Sequence, residues 1–400
     1  MDDALLNEIV IPGTSKIVLL VMDGLGGLPH PTTGLTELEQ ARTPNLDALA
    51  RDGICGLTIP VAPGVTPGSG PGHLALFGYD PIRNNIGRGV LEAVGIDFEL
   101  ESSDIAARGN FCTVDADGVI TDRRAGRVPT AVSTELCRQL ATIELPGVQV
   151  FVEPVREHRF VLVLRGEWLS DRLSGTDPNR EGLAPLPVHP LAGEARETAD
   201  LLNRWIAEAK NLLGARDTAN MVLVRGFAKH PTMPSMMERY KLKSAAVAIY
   251  PMYRGLAKLV GMTALPGGAS FENEIETVRD HWDEFDFFFV HYKPTDAAGE
   301  DGNFEAKVQA FEALDTLLPG LTDLQPDVLM VAGDHSTPSI MAAHSWHPVP
   351  FLLYGPWCRA DRAEAFSERE CERGVLGTFP AMQALQYAMA HAGRFTKYVA

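Results

Sequence analysis

The chain has 400 residues, 45% of them hydrophobic and 22% charged, which is an ordinary globular composition over a length that favours two domains. A formal net charge of −17 argues against a nucleic-acid partner, although local cations or metals would still allow a small anionic substrate. The five scattered cysteines form no CxxC pair, and the acidic start lacks the basic region of a secretory signal, so we expect a cytoplasmic protein. No apolar run reaches the ~20 residues of a bilayer span, so we expect no membrane contact.

Short, almost continuously apolar runs separated by helical patterns predict the buried strands of a parallel sheet. In chain order these runs are Ile17–Met22, Phe285–Val290, Val328–Ala332 and Phe351–Tyr354. Two helices have recognisable starts: Thr43 precedes Pro44 in a helix that ends near Asp52, and Asn303 is placed to cap a helix over Phe304–Leu318. The ends of the chain therefore predict an α/β domain with a mostly parallel sheet flanked by helices.

The middle of the chain has a different pattern. It is rich in arginine, and turn-rich segments separate its strand-like pieces, which are Val148–Val152, Phe160–Leu164 and Met221–Val224. The acidic residues described below are confined to the two ends of the chain. We therefore predict a smaller α+β cap domain over residues 105–230, inserted into a catalytic domain formed by residues 1–104 and 231–400.

Acids, imidazoles and one serine lie where a ligand-binding edge is expected. Asp23 directly follows the first predicted strand, and Asp334 and His335 come just after Val328–Ala332. Ligands bind outside the carboxyl ends of the strands in open parallel sheets. The full set is Asp23, Ser69 in TPGSGPGH, Asp296 and Glu300 in KPTDAAGEDG, Asp334 and His335 in VAGDH, and His344 in HSWHPVP.

This set supplies four carboxylates and two imidazoles, which is enough to hold two divalent ions. Two ions ~3.5–4 Å apart stabilise both the attacking and the leaving oxygen of a phosphoryl transfer. Coordination to a metal would activate the Ser69 hydroxyl without a histidine base. The glycines around Ser69 allow the backbone to approach a phosphate closely.

Several of these residues also have an ordinary structural explanation, whereas Asp334, His335 and His344 are harder to explain in that way. An aspartate after a strand often caps a turn, and a serine among glycines and prolines is more often structural than nucleophilic. The chain lacks the motifs of three other enzyme classes. The VMDGLGG segment is not the GxGxxG of dinucleotide-binding proteins, the sequence around Ser69 is not the GxSxG of α/β-hydrolases, and no GxxxxGK[ST] loop of an NTPase is present. The combination, rather than any one member, indicates metal-dependent phosphoryl transfer.

Nearly the whole chain resembles the archaeal-type 2,3-bisphosphoglycerate-independent phosphoglycerate mutases, which belong to the alkaline phosphatase superfamily. The serine loop and the DHSTP segment are the most specific parts of this resemblance. The motifs that carry it are VMDG, ARTPNLDALARDG, TPGSGPGHLALFGYDP, GRGVLEA, ARGNFCTVD, TDRRAGR, VAGDHSTPS and HSWHPVP. The resemblance implies an alkaline-phosphatase-like fold and an enzyme that interconverts 3-phosphoglycerate and 2-phosphoglycerate without a bisphosphoglycerate cofactor.

The resemblance also implies the roles of individual residues. Ser69 would carry the phosphoryl group, and an inserted domain would close over the substrate. One metal site would consist of Asp23, Ser69, Asp334 and His335, and the other of Asp296, Glu300 and His344. Glu300 is a departure, because the wider superfamily has histidine there; a harder carboxylate ligand favours Mg²⁺ or Mn²⁺ over Zn²⁺. His347 is not expected to bind metal, and His73 is expected to pack the serine loop.

A phosphoglycerate carries a phosphate and a carboxylate, and planar arginine forks suit both groups. The candidates for contact with the substrate are Arg108, Asn110, Arg123, Arg124, Arg127, Arg225 and Arg254. Other functions remain open at this stage: a metal-dependent phosphomonoesterase, a phosphotransferase acting on another small phosphorylated metabolite, or a binding protein on an inactive scaffold. The sequence leaves the oligomeric state undetermined.

Overall fold

A computed structural model of the chain describes residues 3–84 and 86–399. The chain divides into two compact units, the first formed by Met1–Asn85 with Met233–Ala400 and the second by Ile86–Thr232. The expected boundary between 104 and 105 therefore lies inside the second unit. The sequence did not reveal the short helix that precedes it, in which Gly89 lies so near the following strand that a Cβ atom would sit 2.1 Å from the Ala106 carbonyl oxygen.

Thirteen strands lie in the described residues. Their bounds are β1 Ile17–Met22, β2 Ile54–Ile59, β3 Asp104–Val114, β4 Ile120–Asp122, β5 Gln149–Arg156, β6 Arg159–Arg165, β7 Met221–Lys229, β8 Ser244–Ala248, β9 Thr263–Pro266, β10 Phe287–Tyr292, β11 Val328–Ala332, β12 Val349–Tyr354 and β13 Thr378–Pro380. The first and third apolar runs of the sequence match β1 and β11 to the residue, and the run at 285–290 begins and ends two residues before β10.

Fifteen α-helices connect these strands within the same ranges. Their bounds are α1 Asp3–Ile9, α2 Glu37–Gln40, α3 Pro44–Asp52, α4 Ser69–Leu76, α5 Arg88–Val94, α6 Thr130–Leu140, α7 Arg196–Leu213, α8 Met236–Tyr240, α9 Pro251–Leu259, α10 Phe271–Asp280, α11 Pro294–Glu300, α12 Phe304–Leu317, α13 Pro319–Thr322, α14 Glu368–Arg373 and α15 Ala384–His391. None of the helices described here is both long and apolar enough to cross a membrane.

The first unit is built on an eight-stranded sheet with the order β13-β2-β12-β11-β1-β10-β8-β9. Its pairings are parallel except those of β12, which runs antiparallel to both β11 and β2. The strand expected at Phe351–Tyr354 therefore exists, but its expected parallel direction is wrong. A parallel neighbour needs a crossover, usually through a helix, whereas the chain returns from β11 to β12 without one.

Two helix starts were predicted from local chemistry, and they turn out differently. Asn303 caps α12 as expected, because its side-chain oxygen accepts a hydrogen bond from the Ala306 N–H at 3.0 Å. Thr43 precedes α3 as expected, with Pro44 at the first helical position, but its side chain forms no capping hydrogen bond. The cap position was readable from sequence, whereas the capping bond depended on a backbone conformation that the sequence does not specify.

The second unit contains a five-stranded antiparallel sheet in which β3 pairs with β4, β6 and β7. The helices α6 and α7 cover one face of it. Trp205 of α7 is fully buried in the apolar core of this unit, where its ring lies 6.5 Å from that of Phe160. An α+β architecture follows directly from this arrangement.

We expect Trp205→Ala to lower the free energy of unfolding by about 3–5 kcal/mol, because it removes the largest buried side chain of the second unit and leaves a cavity. Trp168→Ala is the matched control, since Trp168 is 43% exposed. Urea unfolding followed by circular dichroism measures both variants. A loss below about 1 kcal/mol for Trp205→Ala would show that this core repacks without cost.

Candidate active site

Three adjacent parallel strands end at one edge of the first unit's sheet and bring charged side chains together there. Asp23 directly follows β1, Lys293 directly follows β10, and Gly333 separates β11 from Asp334. The loop after β10 leads at once into α11, whose first turn carries Asp296. The carboxyl edge that the sequence analysis selected is therefore the place where these side chains meet.

Two groups of side chains at this edge have the geometry to hold a metal ion, and all candidate ligand atoms within each group lie within 4.8 Å of one another. The first group is Asp23, Asp334 and His335, all fully buried. The His335 Nε2 atom lies 3.1 Å from Asp334 Oδ2 and 3.4 Å from Asp23 Oδ1. It also lies 3.2 Å from the Ser69 hydroxyl.

The second group is Asp296, His335 and His344. Asp296 Oδ1 lies 3.6 Å from His344 Nε2 and 3.9 Å from His335 Nδ1, and the two imidazole rings stack with their centroids 3.6 Å apart. The resemblance assigned His335 to one site alone, whereas here its ring stands between both groups. His335 Nδ1 also lies 2.9 Å from the Thr337 hydroxyl.

Glu300 stands apart from both groups. Its Oε1 atom lies 3.4 Å from His344 Nε2, but its side chain is 55% exposed at the end of α11. The spacing of four residues places Asp296 and Glu300 on one side of the same helix, one turn apart. Asp296 points into the buried cluster, while Glu300 reaches only its solvent side.

Two oxygens of the cluster have the unsatisfied character that a metal ligand requires. Asp23 Oδ1 and Asp334 Oδ2 are buried and receive no well-aligned hydrogen bond from the described residues. Buried polar atoms normally have a partner, so these oxygens are suited to a cation. Carboxylates and imidazoles together form a donor set for divalent metals, and the chain therefore contains residues that fit divalent metal binding.

The charges of the cluster are strongly coupled. Burial alone would raise the pKa of Asp334, but attraction to His335 and His73 outweighs it and holds that pKa well below its usual range. Burial lowers the pKa of His335, but attraction to Asp334, Asp23 and Asp296 outweighs it and raises that pKa to about 9. Asp334 is thus held in its ionised form, and cationic charge beside it is favourable.

Ser69 was expected in a loop, but it is the first residue of α4, with Gly68 at the cap position. The backbone N–H groups at a helix N-terminus favour a phosphate. Gly72 of the same helix packs so closely that a Cβ atom would lie 2.1 Å from the Asp334 carbonyl oxygen. His73 is fully buried, with Nδ1 2.8 Å from the Ser69 carbonyl oxygen and 3.2 Å from Asp334 Oδ2, so it packs this helix as expected.

Sequence reasoning missed three residues that contact the carboxylate of Asp23. Tyr253 donates its hydroxyl hydrogen to Asp23 Oδ2, His291 Nε2 lies 2.9 Å from the same oxygen, and Lys293 Nζ lies 3.2 Å from it. Lys293 also donates to Asp296 Oδ2 at 2.6 Å. Lys293 could have been found, because it follows β10 as Asp23 follows β1. Tyr253 and His291 lie inside a helix and a strand and carry no such signal.

A second cluster lies within the second unit, where a polar cavity of about 470 Å³ is lined mainly by arginines. The sequence analysis proposed six of its lining residues, Arg108, Asn110, Arg123, Arg124, Arg127 and Arg225. It missed the other four, Glu157, His158, Arg159 and Asn179. Arg254 does not line this cavity: it belongs to α9 of the first unit, and its guanidinium donates to the Ile249 carbonyl oxygen at 2.7 Å.

The strands of the second unit explain why the cavity is basic. Arg108 and Asn110 are two apart on β3 and therefore share a face, and Arg225 of β7 is the register partner of Arg108. Arg123 forms a fork with the buried Asp177, at 3.0 and 2.6 Å. The Nε atoms of Arg108 and Arg225 are buried without a hydrogen-bond partner among the described residues, and such donors suit an anion.

Electrostatics in this cavity also favour an anionic ligand. Burial lowers the pKa of Arg108 despite the attraction of Glu92, and the neighbouring Arg159 and Arg225 lower it further. Burial likewise lowers the pKa of His158, with a further contribution from Arg159. The arginines repel one another, and a bound anion would relieve that repulsion.

Comparison with known proteins decides the family. Residues 50–218 match the family model described as 2,3-bisphosphoglycerate-independent phosphoglycerate mutase. A probable enzyme of that name from Thermosipho africanus is 49% identical over 395 residues, which cover 98% of each chain. This chain belongs to the 2,3-bisphosphoglycerate-independent phosphoglycerate mutases. It is an enzyme of the isomerase class, and the expected family is confirmed.

Solved structures support the same fold for this mutase. The cofactor-independent phosphoglycerate mutase from Thermoplasma acidophilum is 31% identical, with a TM-score of 0.76 over 94% of this chain and 100% of that one. A Pyrococcus horikoshii protein is 27% identical, with a TM-score of 0.81 over 97% of this chain and 100% of that one. The predicted α/β fold with a mostly parallel sheet is confirmed, and the family interconverts 3-phosphoglycerate and 2-phosphoglycerate.

Proposed function

We propose that this mutase transfers the phosphoryl group of 3-phosphoglycerate to Ser69 and returns it to the 2-oxygen of the same glycerate. The observation that carries the proposal is the convergence of Ser69 with two metal-capable groups that share His335. A metal-dependent transfer through a serine needs such a convergence, whereas a chain that only binds a phosphate does not.

The residues proposed to hold the first divalent ion are Asp23, Ser69, Asp334 and His335, and those proposed for the second are Asp296, Glu300 and His344. When bound, the ions would offset the charge that develops on the phosphoryl oxygens and lower the pKa of the serine hydroxyl. Mostly carboxylate ligands favour Mg²⁺ or Mn²⁺ over Zn²⁺. Lys293, which lies between Asp23 and Asp296, adds a fixed positive charge beside the same carboxylates.

Every bond and proton of the proposed transfer is accounted for by the substrate and Ser69. As Ser69 Oγ bonds to phosphorus, the bond from phosphorus to the 3-oxygen breaks, and that oxygen gains the proton that the serine loses. In the return step the 2-oxygen bonds to phosphorus, the bond to Ser69 breaks, and the 2-hydroxyl proton returns to the serine. The position of Ser69 at the start of α4 directs backbone N–H groups at the phosphoryl oxygens.

We propose that the arginine-lined cavity of the second unit grips the glycerate by its carboxylate while the serine carries the phosphoryl group. A glycerate that remains bound can turn and receive the group again, whereas water at the phosphoserine would yield free phosphate. The number of guanidinium groups supports this role, because a simple phosphomonoesterase needs no second anion site. Arg254, with its guanidinium on backbone carbonyl groups, remains a weaker candidate for substrate contact.

The alternatives are a phosphomonoesterase and a phosphotransferase for another metabolite, and one assay separates them from the mutase. The enzyme is supplied with 3-phosphoglycerate and Mn²⁺, and bisphosphoglycerate is omitted. We expect 2-phosphoglycerate as the product. Free phosphate alone would indicate the phosphomonoesterase, and no turnover would indicate a different substrate.

We expect Arg124→Ala and Arg127→Ala to lower kcat/KM and to increase the share of free phosphate among the products. Each substitution removes a charge-assisted hydrogen bond of about 1.5–3 kcal/mol, which corresponds to roughly tenfold to over a hundredfold in efficiency. A loosely held glycerate escapes before it turns, so the phosphoserine meets water more often. Product partitioning measures the effect, beside elemental analysis showing unchanged metal content.

Arg138→Ala is the matched control, because Arg138 lies exposed on α6 of the same unit, pairs with Glu135 and does not line the cavity. Arg123 is a poorer target, since its removal would also break its two hydrogen bonds to the buried Asp177. Parental activity and partitioning in both test variants would mean that the grip on glycerate lies elsewhere in the chain.

A further inference from the structure

Lys307 is a fully buried lysine in the first turn of α12. Its ammonium group donates three hydrogen bonds, all to backbone carbonyl groups: to Gly24 at 2.8 Å, to Gly26 at 3.1 Å and to Thr337 at 2.8 Å. An ammonium has three N–H donors, so this group is fully used. The three carbonyl groups belong to two loops, one after β1 and one after β11.

Both loops carry candidate metal ligands. Gly24 follows Asp23, and its N–H donates to Asp334 Oδ1 at 3.2 Å. Thr337 lies two residues after His335, and its hydroxyl donates to Asp296 Oδ1 at 2.6 Å. The loop carbonyls that Lys307 holds therefore belong to segments that orient ligands of both metal-capable groups.

Burial of the Lys307 ammonium is energetically unfavourable, which indicates that its charge has a structural or functional role. Burial of an ion is unfavourable unless the charge is well compensated, and a well-packed apolar side chain in the same space would avoid this desolvation penalty. Within the described part of the chain no carboxylate forms an ion pair with Lys307. Two nearby acids instead contact the same loops: the Glu368 carboxylate accepts from the Gly27 N–H at 2.9 Å, and the carboxylate of the fully buried Glu37 accepts from the Ser339 N–H at 2.7 Å.

We propose that Lys307 is a positioning residue that fastens the loop after β1 to the loop after β11 and so sets the spacing of the metal ligands on both. The lysine touches neither substrate nor ligand side chain, and it acts through the carbonyl groups of Gly24, Gly26 and Thr337. This inference rests on the proposed metal-dependent mechanism. It adds that the affinity of the site for a divalent ion depends partly on α12, a helix that supplies no metal ligand.

The test is Lys307→Met, which keeps the chain length and apolar packing and removes the three N–H donors. We expect the affinity of the metal-free protein for Mn²⁺ to fall by about 10- to 100-fold in calorimetric titration, the usual effect of losing a residue that orients ligands. The Mn²⁺ concentration for half-maximal rate should rise by the same factor. At saturating Mn²⁺, kcat and the KM for 3-phosphoglycerate should return close to the parental values.

Leu314→Ala is the matched control, since Leu314 is equally buried on the same helix and belongs to the apolar core. It should lower the Tm and leave Mn²⁺ affinity unchanged. If Lys307→Met does not fold, Lys307→Leu, which also lacks N–H donors, is titrated with the same expectation. Parental Mn²⁺ affinity in the folded lysine variant, or an equal loss in Leu314→Ala, would overturn the positioning role alone. A parent enzyme that binds no divalent metal would overturn the proposed function together with this inference.

Discussion

Replacing Ser69 with alanine is expected to abolish mutase activity, with a loss of at least about 10⁴-fold, because the proposed mechanism carries the phosphoryl group on this hydroxyl. Metal content and fold should remain close to parental, since Ser69 is a partly exposed hydroxyl at the start of α4 and contributes little to packing. The measurement is the rate of 2-phosphoglycerate formation. Acid quenching during turnover, followed by mass spectrometry, should locate phosphate on Ser69 of the parent.

Thr66→Ala provides the control for this experiment, because Thr66 is an exposed hydroxyl of the same TPGSGPGH segment and is not one of the proposed ligands or substrate-binding residues. We expect it to retain parental activity. Phosphate trapped on another residue, or an alanine variant that still turns over, would contradict the serine mechanism and leave the metal centre to be explained by different chemistry.

Removal of divalent metal is expected to stop turnover completely, and added Mn²⁺ or Mg²⁺ should restore it. Asp23 Oδ1 and Asp334 Oδ2 are buried and receive no well-aligned hydrogen bond from the described residues, so both atoms are suited to bind a cation. Asp334→Asn should weaken metal retention by more than about 100-fold, because an amide is a poorer ligand than a carboxylate. Elemental analysis after dialysis measures retention, and the mutase assay measures recovery.

Asp323→Asn removes the same charge from an exposed position in the first unit and should change neither metal retention nor activity. An enzyme that stays fully active after exhaustive chelation, with no metal by elemental analysis, would refute the two-metal mechanism. Retention that falls equally in both variants would show that overall charge, rather than ligation by Asp334, attracts the ion.

Local chemistry predicted the parts of the site that follow directly from strands. β1 and β11 are continuous apolar runs, and the residues just past them lie at the carboxyl edge of the sheet, so Asp23, Asp334 and His335 could be identified from the sequence alone. The arginines of the second unit were found for a similar reason, because several of them are close together in the sequence segments TDRRAGR and ARGN. Arg159 was missed, since it follows the turn between β5 and β6 as an ordinary strand residue.

Strand direction could not be predicted in the same way. β12 is as apolar as its neighbours. Its composition does not indicate its direction, because a strand buried on both faces is apolar whether it runs parallel or antiparallel. Its antiparallel course depends on the return of the loop that carries His344, and no local signal records that return. The division between the units was hidden similarly, because α5 is too short to have a clear period.

The sequence by itself determined the family, the sheet-edge acids, the serine and most of the cavity arginines, because these depend on residue type and on neighbours a few positions away. Only the tertiary structure decided that His335 belongs to both metal-capable groups, that Glu300 remains on the solvent side, and that the Lys307 ammonium donates to backbone carbonyl groups of the loops after β1 and β11. Those facts depend on contacts between residues as far apart as Gly24 and Lys307. Contacts between residues so far apart along the chain are set by the order and direction of the strands in the folded sheet. No short stretch of sequence contains that information.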